Sequence, residues 1–159
     1  MVHETKELFD LMGVSWMDAP MEAEGAAAVM CARGEVAAVA SQDWDTLLYG
    51  SPVMVRNLTS HGTRRFGRVL SAERIVLSDM LDSHGISREQ LVDLGIMVGT
   101  DFHPGIKGIG PKTGLKLIKK HGTMEDIAEE KGFDLPQHLD SIRSLFMDHP
   151  VGDSPVPDS

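Results

Sequence analysis

In Val36-Ala37-Ala38-Val39-Ala40-Ser41-Gln42-Asp43-Trp44-Asp45, an unbroken run of small apolar residues ends in two aspartates. A short continuous apolar run behind a helix stop at Gly34 predicts a strand buried on both faces, as in a parallel sheet. In an extended segment, residues two apart point the same way, so Asp43 and Asp45 would converge. They would do so at the strand's C-terminal end, where open α/β sheets place their ligand sites. The plainer reading is an Asp-rich turn. Val39, Leu47 and Leu48 on either side argue against a purely solvated one.

Working outward, residues 22–32 read as an Ala-rich helix, residues 14–17 as a short strand, and residues 4–12 as an amphipathic helix closed by Gly13. Downstream, residues 53–58 form a second strand-like run and residues 59–67 a polar loop. Ser71 is placed to cap a helix running to about Ser83, with Gly85 ending it. Ser87 and Gln90 make a capping box for the helix containing residues 91–98. After the Gly-rich turn 105–111, Pro111 suits the first position of a helix that Gly122 ends, and Thr123 opens another. No internal repeat is found. The order predicts an α/β layer over residues 1–58 and a helical region over residues 59–150. The Pro-Ser tail 151–159 is expected to be disordered.

The chain has 159 residues, 42% hydrophobic and 25% charged, which fits one globular domain with a real core. No apolar run reaches the length of a membrane span; residues 26–40 are broken by Arg33, Gly34 and Glu35. The single cysteine, Cys31, rules out an internal disulfide, fits a reducing compartment and reads as a small buried residue. A net charge of −9 argues at first against nucleic acid, but its distribution does not. Residues 1–45 carry nine acids and two bases, residues 56–74 five arginines and one acid, and residues 103–121 five lysines and no acid. Carboxylates hold cations and lysines hold phosphates, so an acidic pole beside basic surfaces suits a metal-dependent nuclease. Solvated charge runs alone would explain the asymmetry equally well.

Two further carboxylates, Glu22 and Glu24, lie at a helix start, where free N–H groups favour negative charge. Residues two apart do not share a helix face, so both reach one site only if it lies off the helix end. Asp101 follows the helix 91–98. Five clustered carboxylates would repel one another without cations, and hard oxygen ligands suit Mg²⁺ or Mn²⁺. Two such ions would stabilise the attacking and leaving oxygens of a phosphodiester. In Gly105-Ile106-Lys107-Gly108-Ile109-Gly110-Pro111-Lys112, glycines allow close backbone approach and N–H groups can face a phosphate. Lys112, Lys116 and Lys120 recur every four residues along the next helix. This is a helix-hairpin-helix pattern, at about residues 91–121, which reads DNA backbone rather than sequence.

Taken in order, these segments resemble the flap endonuclease family of 5′ nucleases, also called the xeroderma-pigmentosum-G type. Asp18-Ala19-Pro20-Met21-Glu22-Ala23-Glu24-Gly25-Ala26 is similar to the family's D-A-P-x-E-A-E-A. Ser41-Gln42-Asp43-Trp44-Asp45-Thr46-Leu47-Leu48-Tyr49-Gly50-Ser51-Pro52 is similar to x-x-D-x-D-x-L-x-F-G-x-P. Val92-Asp93-Leu94 through Val98-Gly99-Thr100-Asp101-Phe102 and Pro111-Lys112 follow the family's F-V-D-L-x-I-L-x-G-x-D-Y and G-I-x-G-I-G-P-K. The resemblance covers residues 7–151. Met21 and Gly25 stand where a small polar residue and an alanine are expected, and Phe102 lacks the usual tyrosine hydroxyl.

The resemblance implies a partial PIN-like nuclease core and metal ligands at Glu22, Glu24, Asp43, Asp45 and Asp101, holding two Mg²⁺ ions that Mn²⁺ can replace. It implies backbone DNA contacts at Gly105, Ile106, Gly108, Ile109, Gly110, Lys112, Lys116 and Lys120. A K⁺ ion at the carbonyls of Gly105, Ile106 and Ile109 follows from it too. The implied function is cleavage of 5′ flaps on branched DNA in replication and repair, in a nucleoid or a nucleus, with no membrane. A sliding clamp is a further implied partner of the full-length protein, although no Q-x-x-[IL]-x-x-F-F motif occurs here. The family's two N-terminal aspartates and helical arch precede the matched region, so the chain is expected to be part of a longer protein. A non-catalytic DNA-binding module, and a 5′ exonuclease or junction-cleaving relative, are the rival readings. The short segment between Arg56 and Ser71 resembles archaeal members.

Overall fold

The computed structural model describes residues 1–60, 62, 64, 65 and 68–152. It begins with helix α1 (Val2–Met12), closed by Gly13 in the left-handed conformation, as the sequence predicts. α1 buries none of its residues; Leu8, Leu11 and Met12 face outward. Residues 14–17, expected as a strand, are irregular, because no described segment offers them a hydrogen-bonding partner.

The sheet has three strands in the order β1-β2-β5. β1 (Val39–Ala40) is the strand predicted from the apolar run, cut to its last two residues and not buried on both faces, since Val39 is buried and Ala40 exposed. It pairs in parallel with β2 (Val53–Arg56), Val39 against Met54 and Ala40 against Val55. α2 (Ala23–Ala32) precedes β1 and the short α3 (Asp45–Leu48) follows it. The expected helix from Ser71 is corrected: β5 (Glu73–Val76) runs antiparallel to β2 first, and only then does α4 (Leu77–His84) begin. Ile75 and Val76 are β-branched, and four ladder pairs with the free edge of β2 outweigh the helix preference of Glu73 and Arg74. The sheet is therefore mixed rather than parallel, and strands from both sides of position 58 share it. β3 (Arg64–Arg65), within the segment read as a loop, pairs antiparallel with β4 (Arg68–Val69) just beyond it. His61, Thr63, Phe66 and Gly67 of that segment lie outside the described residues, as do 153–159 of the tail.

The remainder is helical: α5 (Arg88–Val98), α6 (Pro111–His121), α7 (Met124–Lys131) and α8 (Leu139–Met147). The Ser87–Gln90 capping box forms in both directions, and Pro111 sits at the start of α6. Val92, Ile96, Met97, Ile118, Met124, Ile127 and Phe146 make one core with Ala28, Leu48 and Tyr49, so the late helices share their apolar interior with α2 and α3, while Met54 of β2 packs in a second cluster with Leu47 and Leu77. Each such side chain contributes roughly 1.5–3 kcal/mol on burial.

Two polar devices pin that core. The Arg88 guanidinium donates to the carbonyls of Leu48, Tyr49 and Phe146 at 3.4, 2.9 and 2.8 Å. It reaches them across Gly50, whose φ is +84° and where a Cβ would lie 2.4 Å from Cζ of Arg88. Arg143 on α8 makes a paired contact to buried Asp93 on α5, at 2.7 and 2.8 Å, and to Glu125 on α7, at 2.6 and 2.9 Å. The main chain of Met124 also donates to Asp93 at 3.2 Å. These three helices are thereby keyed together by planar, charge-assisted hydrogen bonds.

Candidate functional site

Glu22 adopts extended backbone angles at the N-cap of α2, and Glu24 lies in the first turn. Glu22 thus stands just outside the helix and Glu24 just inside it, so the two carboxylates are not tied to the opposed directions of one helical turn. Asp43 and Asp45 are not on an extended strand, as the sequence reading assumed. β1 stops at Ala40, and the chain turns into α3, which starts at Asp45. The turn is built from side chains: Ser41 Oγ accepts from the Asp43 amide and an Asp43 carboxylate oxygen accepts from the Asp45 amide, both at 3.0 Å. Short polar side chains that bond to nearby backbone amides favour such turns over a continued strand. Asp101 stands at the tip of a tight turn closed by hydrogen bonds between Thr100 and His103 at 2.8 and 3.2 Å.

The electrostatics link these positions. The Asp45 carboxyl is pushed up to about 6, first by burial and then by Asp43, Asp101 and Glu24. The Tyr49 hydroxyl is also raised, by burial first and then by Glu22, Asp45, Glu24 and Asp101. Between them, Asp45 and Tyr49 sense all five carboxylates. The side chains are not drawn into a ligand shell: among the described residues, no three His, Cys, Asp or Glu side chains are close enough to hold a metal ion as they stand. Donor chemistry nonetheless fits a hard divalent cation, since the five are all oxygen donors and, among the described residues, none of them is in a salt bridge with a cationic side chain.

An apolar groove of about 480 Å³ runs from Trp44 and Asp45 past Leu94, Gly95, Val98 and Gly99 to Pro111. It joins the acidic pole to the glycine hairpin. Trp44 itself is half exposed, with the Arg56 guanidinium 4.2 Å from its ring centroid. A larger concavity of about 720 Å³ lies elsewhere, beside Asp93, Glu125 and Arg143, whose polar groups are already paired with one another.

In the hairpin, Gly105 has φ of +86°, and a Cβ there would meet the Val98 carbonyl oxygen at 2.5 Å. Gly114 lets α6 approach α5, its missing side chain replaced by Leu94 Cδ1. The amides of Gly105, Ile106 and Ile109 are spent inside the protein, on His103 Nδ1, Met97 O and Ile106 O. That narrows the sequence reading: the exposed tip is Lys107, Gly108 and Gly110. Ile106 and Ile109 are anchored in the core through their side chains. Lys112 and Lys116 are exposed on α6, whereas Lys120 is engaged by Glu130 at 3.1 and 3.2 Å. The arginines of residues 64–68, part of the second basic stretch, have side chains outside the description.

Sequence reasoning missed Tyr49 as a member of the acidic environment, and His149 beside it. His149 Nε2 lies 3.2 Å from the carbonyl oxygen of Glu22, 127 residues away in sequence. No local pattern signals such a contact. Among the described residues, no helix is long and apolar enough to cross a membrane.

The family model of the XPG I-region matches residues 13–101. A flap endonuclease 1 of Methanoculleus marisnigri is 48% identical over 155 residues, covering 96% of this chain and 46% of that protein. Flap endonuclease-1 from Methanococcus jannaschii superposes with a TM-score of 0.83 at 38% identity, over 96% of this chain and 45% of that one. The Holliday junction-resolving enzyme GEN1, solved with product DNA and a Mg²⁺ ion, gives 0.73 at 26% identity, over 98% and 44%. The chain thus spans a little under half the length of the relatives it matches. With a match to the I-region over more than half its residues and the same α/β and helical layers as a solved flap endonuclease, the chain belongs to the XPG and flap endonuclease family.

Proposed function

We propose that this chain supplies the acidic metal pole and the duplex-holding hairpin of a structure-specific 5′ flap endonuclease acting in DNA replication and repair. The observation that carries the reading is the electrostatic convergence of Glu24, Asp43 and Asp101 on Asp45, at one end of a groove whose other end is the hairpin helix. Glu22, Glu24, Asp43, Asp45 and Asp101 would hold two Mg²⁺ ions, replaceable by Mn²⁺. Bound there, divalent ions supply activation of water and neutralisation of charge on the phosphodiester. The chain's own residues do the rest of the positioning. The turn 41–45 and the α2 N-terminus set the carboxylates, while Gly108, Gly110, Lys112 and Lys116 meet phosphates of the adjoining duplex. Gly105, Ile106 and Ile109 would offer carbonyls to a K⁺ ion, and Lys120 joins the stripe once released from Glu130. In this reading residues 1–58 and 59–150 contribute the pole and the grip respectively. Branched DNA in the nucleoid of an archaeal cell is the substrate and setting, with a sliding clamp as a partner of the longer protein.

The likeness to GEN1 favours one second reading, cleavage of four-way junctions. The deciding experiment offers the chain matched 5′-flap, four-way-junction and plain duplex substrates with Mg²⁺ and with Mn²⁺, alone and with the N-terminal half of a flap endonuclease added in trans. Flap cleavage that is lost on Asp45→Ala supports the proposal. Preferential junction cleavage supports the second reading. Metal-independent duplex binding without cleavage in any combination leaves a DNA-binding module and overturns both.

A further inference from the structure

Gly25, in the first turn of α2, has no room for a side chain. A Cβ there would lie 2.5 Å from Cδ2, 2.6 Å from Nε2 and 2.7 Å from Cε1 of His149. The space belongs to that imidazole, which comes from just beyond α8 and is only 7% exposed. Its Nε2 lies 3.2 Å from the carbonyl oxygen of Glu22, and its Nδ1 lies 3.2 Å from that of Leu145. A neutral imidazole donates through one nitrogen, so it serves one of these carbonyls at a time. The Glu22 carbonyl already accepts the first helical bond, from Ala26 at 3.1 Å, and has a second lone pair free for the ring. The same ring packs edge-on against Tyr49, with centroids 4.8 Å apart at 71°.

Three features make this more than filling. A glycine inside a helix costs about 1 kcal/mol relative to alanine, and at position 25 its one visible return is the place it leaves for the ring. Glu22, as N-cap, receives no side-chain cap hydrogen bond, so the α2 N-terminus lacks the usual device for fixing its entry. That entry is also where two of the five carboxylates are set, and their direction depends on the backbone of residues 22–24.

We propose that Gly25 and His149 are a matched pair of positioning residues: the imidazole, seated where a side chain at 25 would be, fixes the N-terminus of α2 and so aims Glu22 and Glu24 towards Asp45 and Asp101. The inference rests on the metal reading of those carboxylates. It assigns His149 no contact with metal or substrate. Groups that orient ligands in this way typically change metal affinity by about 10–100-fold when removed.

The test measures Mn²⁺ binding to the 159-residue chain by calorimetry and by electron paramagnetic resonance, with urea unfolding recorded alongside. His149→Ala and Gly25→Ala should each weaken Mn²⁺ binding by about tenfold. His149→Gln, which keeps an N–H donor, should restore most of it. In the double variant Gly25→Ala/His149→Ala the new methyl no longer meets the ring, so the two losses should not add. Ile127→Val, which loosens the core on α7 and touches neither Gly25 nor His149 in any hydrogen bond, should lower the urea midpoint and leave Mn²⁺ affinity unchanged. If His149→Ala and Gly25→Ala lower the urea midpoint but keep Mn²⁺ affinity within about twofold, the ring is packing and the proposal is overturned alone. If the unaltered chain binds no Mn²⁺, or binding survives Asp45→Asn, the carboxylate reading falls and takes this proposal with it. Should Gly25→Ala fail to fold, the contrast between His149→Gln and His149→Ala carries the same decision.

Discussion

The acidic pole and the glycine hairpin face the two ends of one groove, yet they are built on opposite principles. In the hairpin three amides near the turn, those of Gly105, Ile106 and Ile109, are committed internally, and two isoleucine side chains hold the loop to the core. At the pole the backbone is settled while the side chains are in conflict, with Asp45 raised to about 6 by burial and three neighbouring carboxylates. Rigid elements suit recognition of a regular phosphate backbone. A pole of mutual repulsion suits a site whose geometry closes only around cations. The contrast teaches where to look for stability and where for ligand dependence.

The comparison breaks most sharply if the hairpin is not rigid. Gly105→Ala places a methyl 2.5 Å from the Val98 carbonyl oxygen at φ +86°. It should cost about 3 kcal/mol in urea unfolding and abolish duplex binding. Gly108→Ala has a similar φ of +88° but open space around it, so only the strain of the left-handed conformation remains, about 1 kcal/mol. Equal losses at the two glycines would mean that the loop relaxes freely.

At the pole, removing charge should stabilise. Asp45→Asn is expected to raise the stability of the metal-free chain at pH 7 by about 1 kcal/mol, after allowing for solvent screening of a half-exposed group, while weakening Mn²⁺ binding. The sign follows from the raised acid. The folded state holds the Asp45 proton up to about 6, whereas an unfolded chain releases it near 3.8. Ionisation above pH 6 therefore opposes folding, and lowering the pH from 7 to 4 relieves it. Measured in chelator, the stability difference between Asp45→Asn and the unaltered chain should shrink over that window. A difference constant with pH would show that Asp45 is not the group in conflict.

Smaller effects sharpen the grip. Replacing Lys112 and Lys116 together by alanine should reduce the slope of log affinity against log salt by about 2, one contact apiece. An unchanged slope would make this face a solubilising surface. Glu130→Gln should release Lys120 and raise duplex affinity by about twofold at low salt, because an exposed ion pair is weakly held. No change would mean that Lys120 stands away from the DNA path.

Much of this was legible in the sequence because it is local. The capping box Ser87–Gln90, Pro111 at a helix start, the closing glycines 13, 85 and 122, and the strand before Asp43 each follow from short-range backbone chemistry. The family motifs extended that reach to five carboxylates and to the hairpin. What sequence reading got wrong was pairing. Residues 73–76 became a strand because β2 had a free edge, and residues 14–17 did not because no described segment offered one. Whether a short apolar segment is a strand depends on a neighbour that local propensity cannot see.

The sequence by itself determined which residue types could hold cations or phosphates, and where helices start and stop, since those depend on charge, hydrogen-bonding capacity and backbone freedom at each position. Only the tertiary structure decided that Asp43 and Asp45 meet through a side-chain-built turn rather than strand alternation, that Tyr49 shares the field of four of the five carboxylates, and that His149 occupies the space Gly25 leaves. The reason is physical: burial, shared dielectric and steric complementarity belong to groups brought together across the chain. His149 and Glu22 touch only because α8 packs back against Tyr49 through a core it shares with α2.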